Sequence, residues 1–231
     1  MTQPIVALLP LKAHSERVPR KNFRSIAGKP LVRWMLDRLL AIDEIKSVVI
    51  NTDAREELSQ IGVVGTDRIK IRDRKKDLCG DFVSMNRVLE DDIDNVASSH
   101  YLMTHTTNPL ISESTVRAAM QTYVDSLRRH DSLFTVNRIQ TRFYRKDGAP
   151  VNHDPDNLVR TQDLEPWFEE NSCLYFFTAE SFRKTGARIG EHPLLFETPK
   201  LESVDIDEPE DWDLAEALLL QKKKRIFQEG I

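Results

Sequence analysis

The feature that most restricts the fold is an alternation along the chain: short apolar runs, each followed by a polar turn and then by a stretch with helical spacing. IVALL (5–9), SVVINTD (47–53), YLMTHTTNPL (101–110), SLFTVNRI (132–139) and CLYFFTA (173–179) read as strands. PLVRWMLDRLLAI (30–42) reads as a helix, with Leu31, Met35, Leu39 and Ile42 near one face. SMNRVLEDDI (84–93) places Met85, Val88, Leu89 and Ile93 in register, and STVRAAMQTYVDSL (114–127) does the same for Val116, Ala119, Met120, Tyr123 and Leu127. SVDIDEPEDWDLAEALLL (203–220) reads as a short strand, a turn with Pro209 at the first helical position, and a closing helix. Strands that alternate with helices predict an α/β fold, with a mostly parallel sheet covered by helices on both faces. The chain has 231 residues, 40% of them hydrophobic, which suits one domain over 1–231. The stretch from Arg142 to Ser172 interrupts the alternation with Gly148, Pro150, Pro155, Asp156 and Pro166, and it is expected to be an inserted arm or subunit contact.

Bulk properties narrow the function classes. The net charge of -4 argues against nucleic acid as a partner bound by general attraction. Cys79 and Cys173 are far apart and in no metal-ligand spacing, so the expected compartment is a reducing cytoplasm. The N-terminal MTQPIVALLP has no charged leader region and reads as a first strand. No apolar run approaches membrane-spanning length.

In parallel sheets, ligands bind beyond the carboxyl ends of the strands. The expected site is therefore assembled from Leu11–Asn22, Asn51–Asp53, His105–Pro109 and Asp205–Asp207. The first of these belongs to LLPLKAHSERVPRKNFRSIAGKP, where a buried strand turns into a run of cations: Lys12, Arg17, Arg20, Lys21, Arg24 and Lys29. A loop after the first strand is a phosphate position in nucleotide-binding sheets. Both glycine-rich phosphate motifs are missing, and Gly28 is the only glycine of the segment. Side chains, mainly Lys12, Arg20 and Lys21, would have to supply the charge; the alternative is a solvated charged loop. In VDID, Asp205 and Asp207 at i and i+2 on a strand would face one side and could share a divalent cation. The alternative there is an exposed strand end before an acidic first helical turn, with Glu208, Glu210 and Asp211. Taken together, a basic loop and a carboxylate pair on one sheet edge suggest nucleoside triphosphate chemistry. QKKKR (221–225) is expected at a helix end, where cations suit the dipole. Trp34 and Trp212 are expected in the core, and Trp167 in the arm, placed to meet a second subunit.

These segments resemble, in order, the CMP-sialic acid synthetase (acylneuraminate cytidylyltransferase) family. LLPLKAHSERVPRKNFRSIAGKPLVRWML is similar to that family's IPARGGSKGIPRKNI…L.GKPLI signature. NTD (51–53) resembles STD, RKKDLCGD (74–81) resembles RPEELSGD, and HTTNPL (105–110) resembles QPTSPL. RTQDLEPWFEENSCLYFF (160–177) and SVDIDEPEDWDLAEALL (203–219) are similar to RRQDLPPVYEENGALYI and IDIDTPEDFELAE. The resemblance implies a Rossmann-like nucleotidyltransferase fold with a small dimerisation arm and a homodimer. It implies transfer of CMP from CTP to the anomeric hydroxyl of an acidic α-keto acid sugar, with Mg²⁺ (or Mn²⁺) and release of pyrophosphate. Lys12, Arg20 and Lys21 would serve the phosphates, with Lys21 near the reacting centre. Asn22 and Arg74 would contact cytosine; Asp81 and His105 complete the nucleotide set. Asp205 and Asp207 would carry the metal, and Arg160, Gln162 and Asn171 would face the acidic sugar.

The chain also departs from the family pattern. Lys12 stands for Arg, Ala13-His14 for a Gly-Gly pair, His105 for Gln, Thr106 for Pro and Ile111 for a frequent Arg. The identity of the acid is therefore left open. Two other functions are weighed beside the cytidylyltransferase reading: a glycosyltransferase using Asp205-x-Asp207, and a relative that binds nucleotide without turnover.

Overall fold

The computed structural model describes residues 4–229, with side chains as far as Arg225. The alternation forms a seven-stranded sheet in the order β5-β4-β1-β6-β8-β7-β9. Its strands are β1 (Ile5–Leu8), β4 (Ile45–Thr52), β5 (Ile69–Asp73), β6 (His100–Thr104), β7 (Ser132–Ile139), β8 (Trp167–Thr178) and β9 (Pro193–Glu197). β2 (Ser25–Ile26) and β3 (Lys29–Pro30) make a separate antiparallel ribbon. The helices are α1 (Leu31–Ala41), α2 (Arg55–Gln60), α3 (Met85–Asn95), α4 (Glu113–Ser126), α5 (Ala179–Thr185) and α6 (Pro209–Glu229).

β5, β4, β1 and β6 are mutually parallel, so their carboxyl ends share one edge of the sheet. β8 runs antiparallel to both β6 and β7, and β7 pairs in parallel with β9. Side chains of a strand alternate between faces. Ile5 and Ala7 accordingly join Met35, Leu39, Val116 and Tyr123 from α1 and α4, while Val6 and Leu8 join Leu89, Ile93 and Phe182 from α3 and α5. The expectation of helices on both faces of a mostly parallel sheet holds. No helix among the described residues is long and apolar enough to cross a membrane.

A third cluster decides where the site forms. Trp212, Ala215 and Leu219 of α6 pack on Val18, Ile26, Leu31 and Leu110. This cluster clamps the C-terminal helix onto the segment that follows the first loop. It carries the VDID stretch to the sheet edge from the far end of the chain.

Several expectations change. VDID is irregular and not a strand, so the alternation argument for Asp205 and Asp207 does not apply. The stretch is held instead by the Ile206 amide, which donates to the Thr107 carbonyl at 2.9 Å. Asp211 accepts from the amides of Asp207 (3.0 Å) and Glu208 (2.8 Å) and so caps the start of α6. β8 begins at Trp167, not Cys173, which shortens the irregular part of the arm to 140–166. The charge of Glu169 and Glu170 hid that half of the strand, because it projects beyond the core and needs no apolar face. α6 continues to Glu229, so QKKKR lies inside the helix and not at its dipole end. Lys223 instead donates to the Ala27 carbonyl at 2.5 Å, with its ammonium 5.4 Å from the centre of the Trp34 ring. Trp212 is core as expected, but Trp34 is half-buried and donates its indole N–H to the Ile26 carbonyl.

Candidate active site

The parallel strands deliver their following residues to a cleft of about 480 Å³, within the range of small-molecule sites. Lys12, Arg17, Lys21 and Asn22 come from the loop after β1, Arg74 follows β5, and His105 with Thr106 follows β6. Asp205 and Asp207 enter from the segment before α6, and Asp81 from the loop before α3.

The loop after β1 is fixed at several points. Ala13 donates its amide to the Asp53 carboxylate at 2.7 Å. Neither Ala13 nor His14 has positive φ, so the loop passes this point without the freedom a glycine pair would give. Arg20 does adopt the left-handed region, at φ 55°, just before the tight turn Lys21–Phe23. That costs a non-glycine residue on the order of 1 kcal/mol. The turn faces Lys21 and Asn22 into the cleft, whereas Arg20 is exposed and does not line it. Asn22 is buried; it donates to the Lys12 carbonyl at 2.9 Å and accepts from the Thr106 hydroxyl at 2.6 Å.

Arg74 also works on the loop. Its guanidinium donates to the Leu11 carbonyl (3.1 Å) and to the carbonyl (2.8 Å) and side-chain oxygen (3.1 Å) of Asn51. Burial lowers its pKa from the ordinary arginine value. Asn51 passes the connection to Asp92, which is paired with Arg72.

At the centre stands Lys21, whose side chain is only 12% exposed. Its ammonium donates to the Ile206 carbonyl at 2.5 Å and lies 3.4 Å from an Asp207 oxygen. Arg17 pairs with Asp207 at 3.1 Å and with Glu208 at 2.9 Å. Across the cleft Lys12 pairs with Asp81. The cations and carboxylates of the cleft thus neutralise one another. A polyanion and a divalent cation together would replace those pairs without leaving a charge alone.

Asp205 has a different character. One of its carboxylate oxygens is buried without a hydrogen-bond partner. Burial raises its pKa, and a hydrogen bond from Thr107 only partly offsets this. An orphaned anionic oxygen beside the half-exposed Asp207 carboxylate fits a divalent ion, which satisfies the charge that burial penalises. His105 is held in its uncharged state. Burial first, then the Arg188 and Lys21 charges, push its pKa down to about 4, so it is a neutral imidazole at pH 7.

The structure brings Lys12, Lys21, Asn22, Arg74, Asp81, His105, Asp205 and Asp207 together, as the sequence placed them. Arg160, Gln162 and Asn171 do not line this cleft. Arg160 is 72% exposed in the arm and paired with Asp163, and Gln162 gives its carbonyl to Gln140. Asn171 is buried with its amide on Asn137 (3.0 Å) and Thr198 (2.7 Å), which commits it to the sheet. Its neighbour Ser172 lines the cleft instead: an irregularity of β8 against β7 turns it inward at φ 58°. Arg17 belongs to the site and was missing from the phosphate set, although it stands in the same basic run. Its contact with Asp207 depends on the α6 packing, which no local pattern reports.

The profile of the family described as cytidylyltransferase matches residues 6–231. The chain is 24% identical to the pseudaminic acid cytidylyltransferase of Campylobacter jejuni, over 92% of this chain and 95% of that protein. It is 26% identical to the CMP-N,N'-diacetyllegionaminic acid synthase of Legionella pneumophila, over 93% and 96%. The fold superposes on a CMP:2-keto-3-deoxy-manno-octonic acid synthetase solved in complex with CTP, with a TM-score of 0.67, 16% identity and coverage of 95% of this chain and 99% of that one.

Proposed function

The chain belongs to the cytidylyltransferase family, and from that membership we propose that it couples CTP to an acidic α-keto acid sugar, giving a CMP-sugar and pyrophosphate. The observation that carries this reading is the meeting of Lys21 with Asp205 and Asp207 in one cleft: a buried ammonium for phosphate beside a carboxylate pair for a divalent ion. The acidic class of the sugar is supported by the relatives, whose names refer to pseudaminic, legionaminic and acylneuraminic acids.

Lys12, Arg17 and Lys21 would hold the triphosphate once it displaces their carboxylate partners. Arg74 and Asn22, already fixed to the Leu11 and Lys12 carbonyls, form the wall proposed for cytosine. The anomeric hydroxyl attacks the α-phosphorus in line, its O–H proton is released, and the bond from that phosphorus to pyrophosphate breaks. Positioning and charge neutralisation supply most of the acceleration in such a transfer. Asp205 and Asp207 would hold Mg²⁺, which when bound neutralises phosphate charge and lowers the pKa of the attacking hydroxyl. The arm exposes Tyr144, Leu158, Val159, Trp167 and Phe168, which supports a homodimer formed through it. Arg160 and Gln162 would then reach a cleft only from the second copy. A cytoplasmic location follows from dependence on free CTP.

The test is pyrophosphate release with CTP, Mg²⁺ and a panel of nonulosonic and ulosonic acids. Asp207→Asn is expected to lower kcat about a hundred- to a thousandfold, the range for loss of one preorganised electrostatic group. Silence of the wild-type chain across the panel, with CTP binding intact, would reject the acidic-sugar reading.

A further inference from the structure

An α-keto acid sugar carries its carboxylate on the same carbon as the attacking hydroxyl. The group that receives this carboxylate must therefore sit next to the reacting centre. Arg160, the expected partner, is paired with Asp163 in the arm and could reach a cleft only from a second copy, so within one chain the place is open to another cation. Lys12, Arg17 and Lys21 stand on the β1 side and are the cations available to a triphosphate. Behind the β8 side of the cleft stands another cation, Arg188, which is not itself a lining residue and connects to Ser172 of the lining through the Tyr175 hydroxyl.

Arg188 is surrounded by residues adjoining the cleft. Its amide donates to Asn86, next to Met85 of the lining. Its Nη1 points at the Met103 sulfur at 3.8 Å, two residues before His105 on β6. Its Nη2 donates to the Tyr175 hydroxyl at 3.0 Å, and that hydroxyl lies 3.3 Å from Ser172 of the lining. The guanidinium carbon lies 3.8 Å from the centre of the Tyr175 ring. This contact holds the guanidinium against the ring, and its planar fork suits two-point binding of a carboxylate.

Two partners show what the place is suited to. The thioether near Nη1 is a weak acceptor, so that nitrogen has no charged partner in the free protein. The Glu170 carboxylate, 3.3 Å from Nη2 and also accepting from the Tyr175 hydroxyl, already occupies the place with the expected chemical group. Glu170 is 42% exposed in its side chain, so it can turn to solvent at little cost.

We propose that Arg188, oriented by Tyr175 and held by Glu170 in the free protein, is the residue that binds the carboxylate of the acid cosubstrate and makes the site selective for acids. The inference rests on the acidic-sugar reading above. The competing role for Arg188 is a staple between β8 and the chain after α5.

Initial rates of pyrophosphate release separate the two, using CTP, Mg²⁺ and, in turn, pseudaminic acid, N,N'-diacetyllegionaminic acid and N-acetylneuraminate. With the acid that the wild-type chain accepts, R188Q is expected to raise the KM for that acid about ten- to a hundredfold, the scale of a lost charged hydrogen bond. The KM for CTP should stay unchanged. E170Q, which frees the receptor, is expected to lower the KM for the acid; a staple role predicts no gain. The methyl ester of the same acid should be used equally by wild type and R188Q. An unchanged KM for the acid in R188Q overturns the assignment. If R188Q also loses CTP binding by calorimetry, E170Q decides: a lowered KM supports the receptor, and an unchanged or raised KM overturns it. Failure of the wild-type chain with all three acids would reject the functional reading and the receptor with it, whereas failure confined to the variants rejects the receptor alone.

Discussion

The cleft and the arm solve opposite problems. In the cleft, groups far apart in sequence meet: Lys21 contacts Ile206 and Asp207, Arg74 reaches Leu11, and Asn22 bonds Thr106. In the arm, polar contacts are nearly all local. Asn152 bonds Phe143 and Thr141, His153 bonds Tyr144, Arg160 bonds Asp163, and the strand-like turn closes at Tyr144 and Pro150. Apolar exposure reverses in the same way. The cleft rests on fully buried residues such as Leu8 and Ile206, while the arm leaves Leu158 66% exposed and stacks Phe143 on the half-open Trp167. A region organised by long-range packing is complete in one chain. A region organised by local bonds keeps its apolar groups outside.

The contrast breaks most visibly at Trp212. This residue is 1% exposed and joins α6 to the first loop, so Trp212→Ala is expected to destabilise the chain by about 3–5 kcal/mol. Denaturant unfolding would measure that loss. CTP affinity should fall with it, because Asp205 and Asp207 lose their register with Lys21. Stability unchanged within about 1 kcal/mol would mean that the first loop, and not α6, organises the cleft.

An intermediate effect lies in the pH dependence of the cleft. The pKa of His105 falls from 6.5 to about 4 on folding. The unfolded chain then binds more protons between these values, so His105 contributes stability that is full above pH 6.5 and is lost as pH falls toward 4. His105→Gln should flatten that part of the curve in thermal unfolding run from pH 7 to pH 4. Parallel curves for the two proteins would show that His105 is solvated and titrates normally.

The smallest expected change in fold stability belongs to the arm. Leu158→Asp adds a charge at an exposed position, and it should alter unfolding of the subunit by no more than about 0.5 kcal/mol. If the arm is the dimer contact, the same substitution halves the mass seen by sedimentation. A dimer that survives it would place the contact elsewhere and turn the arm into a free element.

Much of this molecule was legible from short stretches. The periods of 2 and 3.6 are properties of the covalent chain, so β1, α1, α4 and β7 could be placed within a residue or two. The basic run and His105 could be placed at the cleft because each follows a strand, whereas Asp205 and Asp207 reach it although the strand expected for them does not form. Where charge masks periodicity the reading failed: Glu169 and Glu170 concealed the first half of β8, and VDID resembled a strand because valine and isoleucine alternate with aspartates.

The sequence by itself determined the α/β class, the family and several strands and helices such as β1, α1, α4 and β7, because these are local patterns of residue type. Only the tertiary structure decided which of them meet. Packing of Trp212 brought Asp207 to Arg17 and Lys21. The irregularity of β8 turned Ser172 into the cleft, with Tyr175 and Arg188 bonded behind it, and left Arg160 in the arm. The physical reason is that proximity between distant residues is a property of the packed core and has no counterpart in the spacing of residues along the chain.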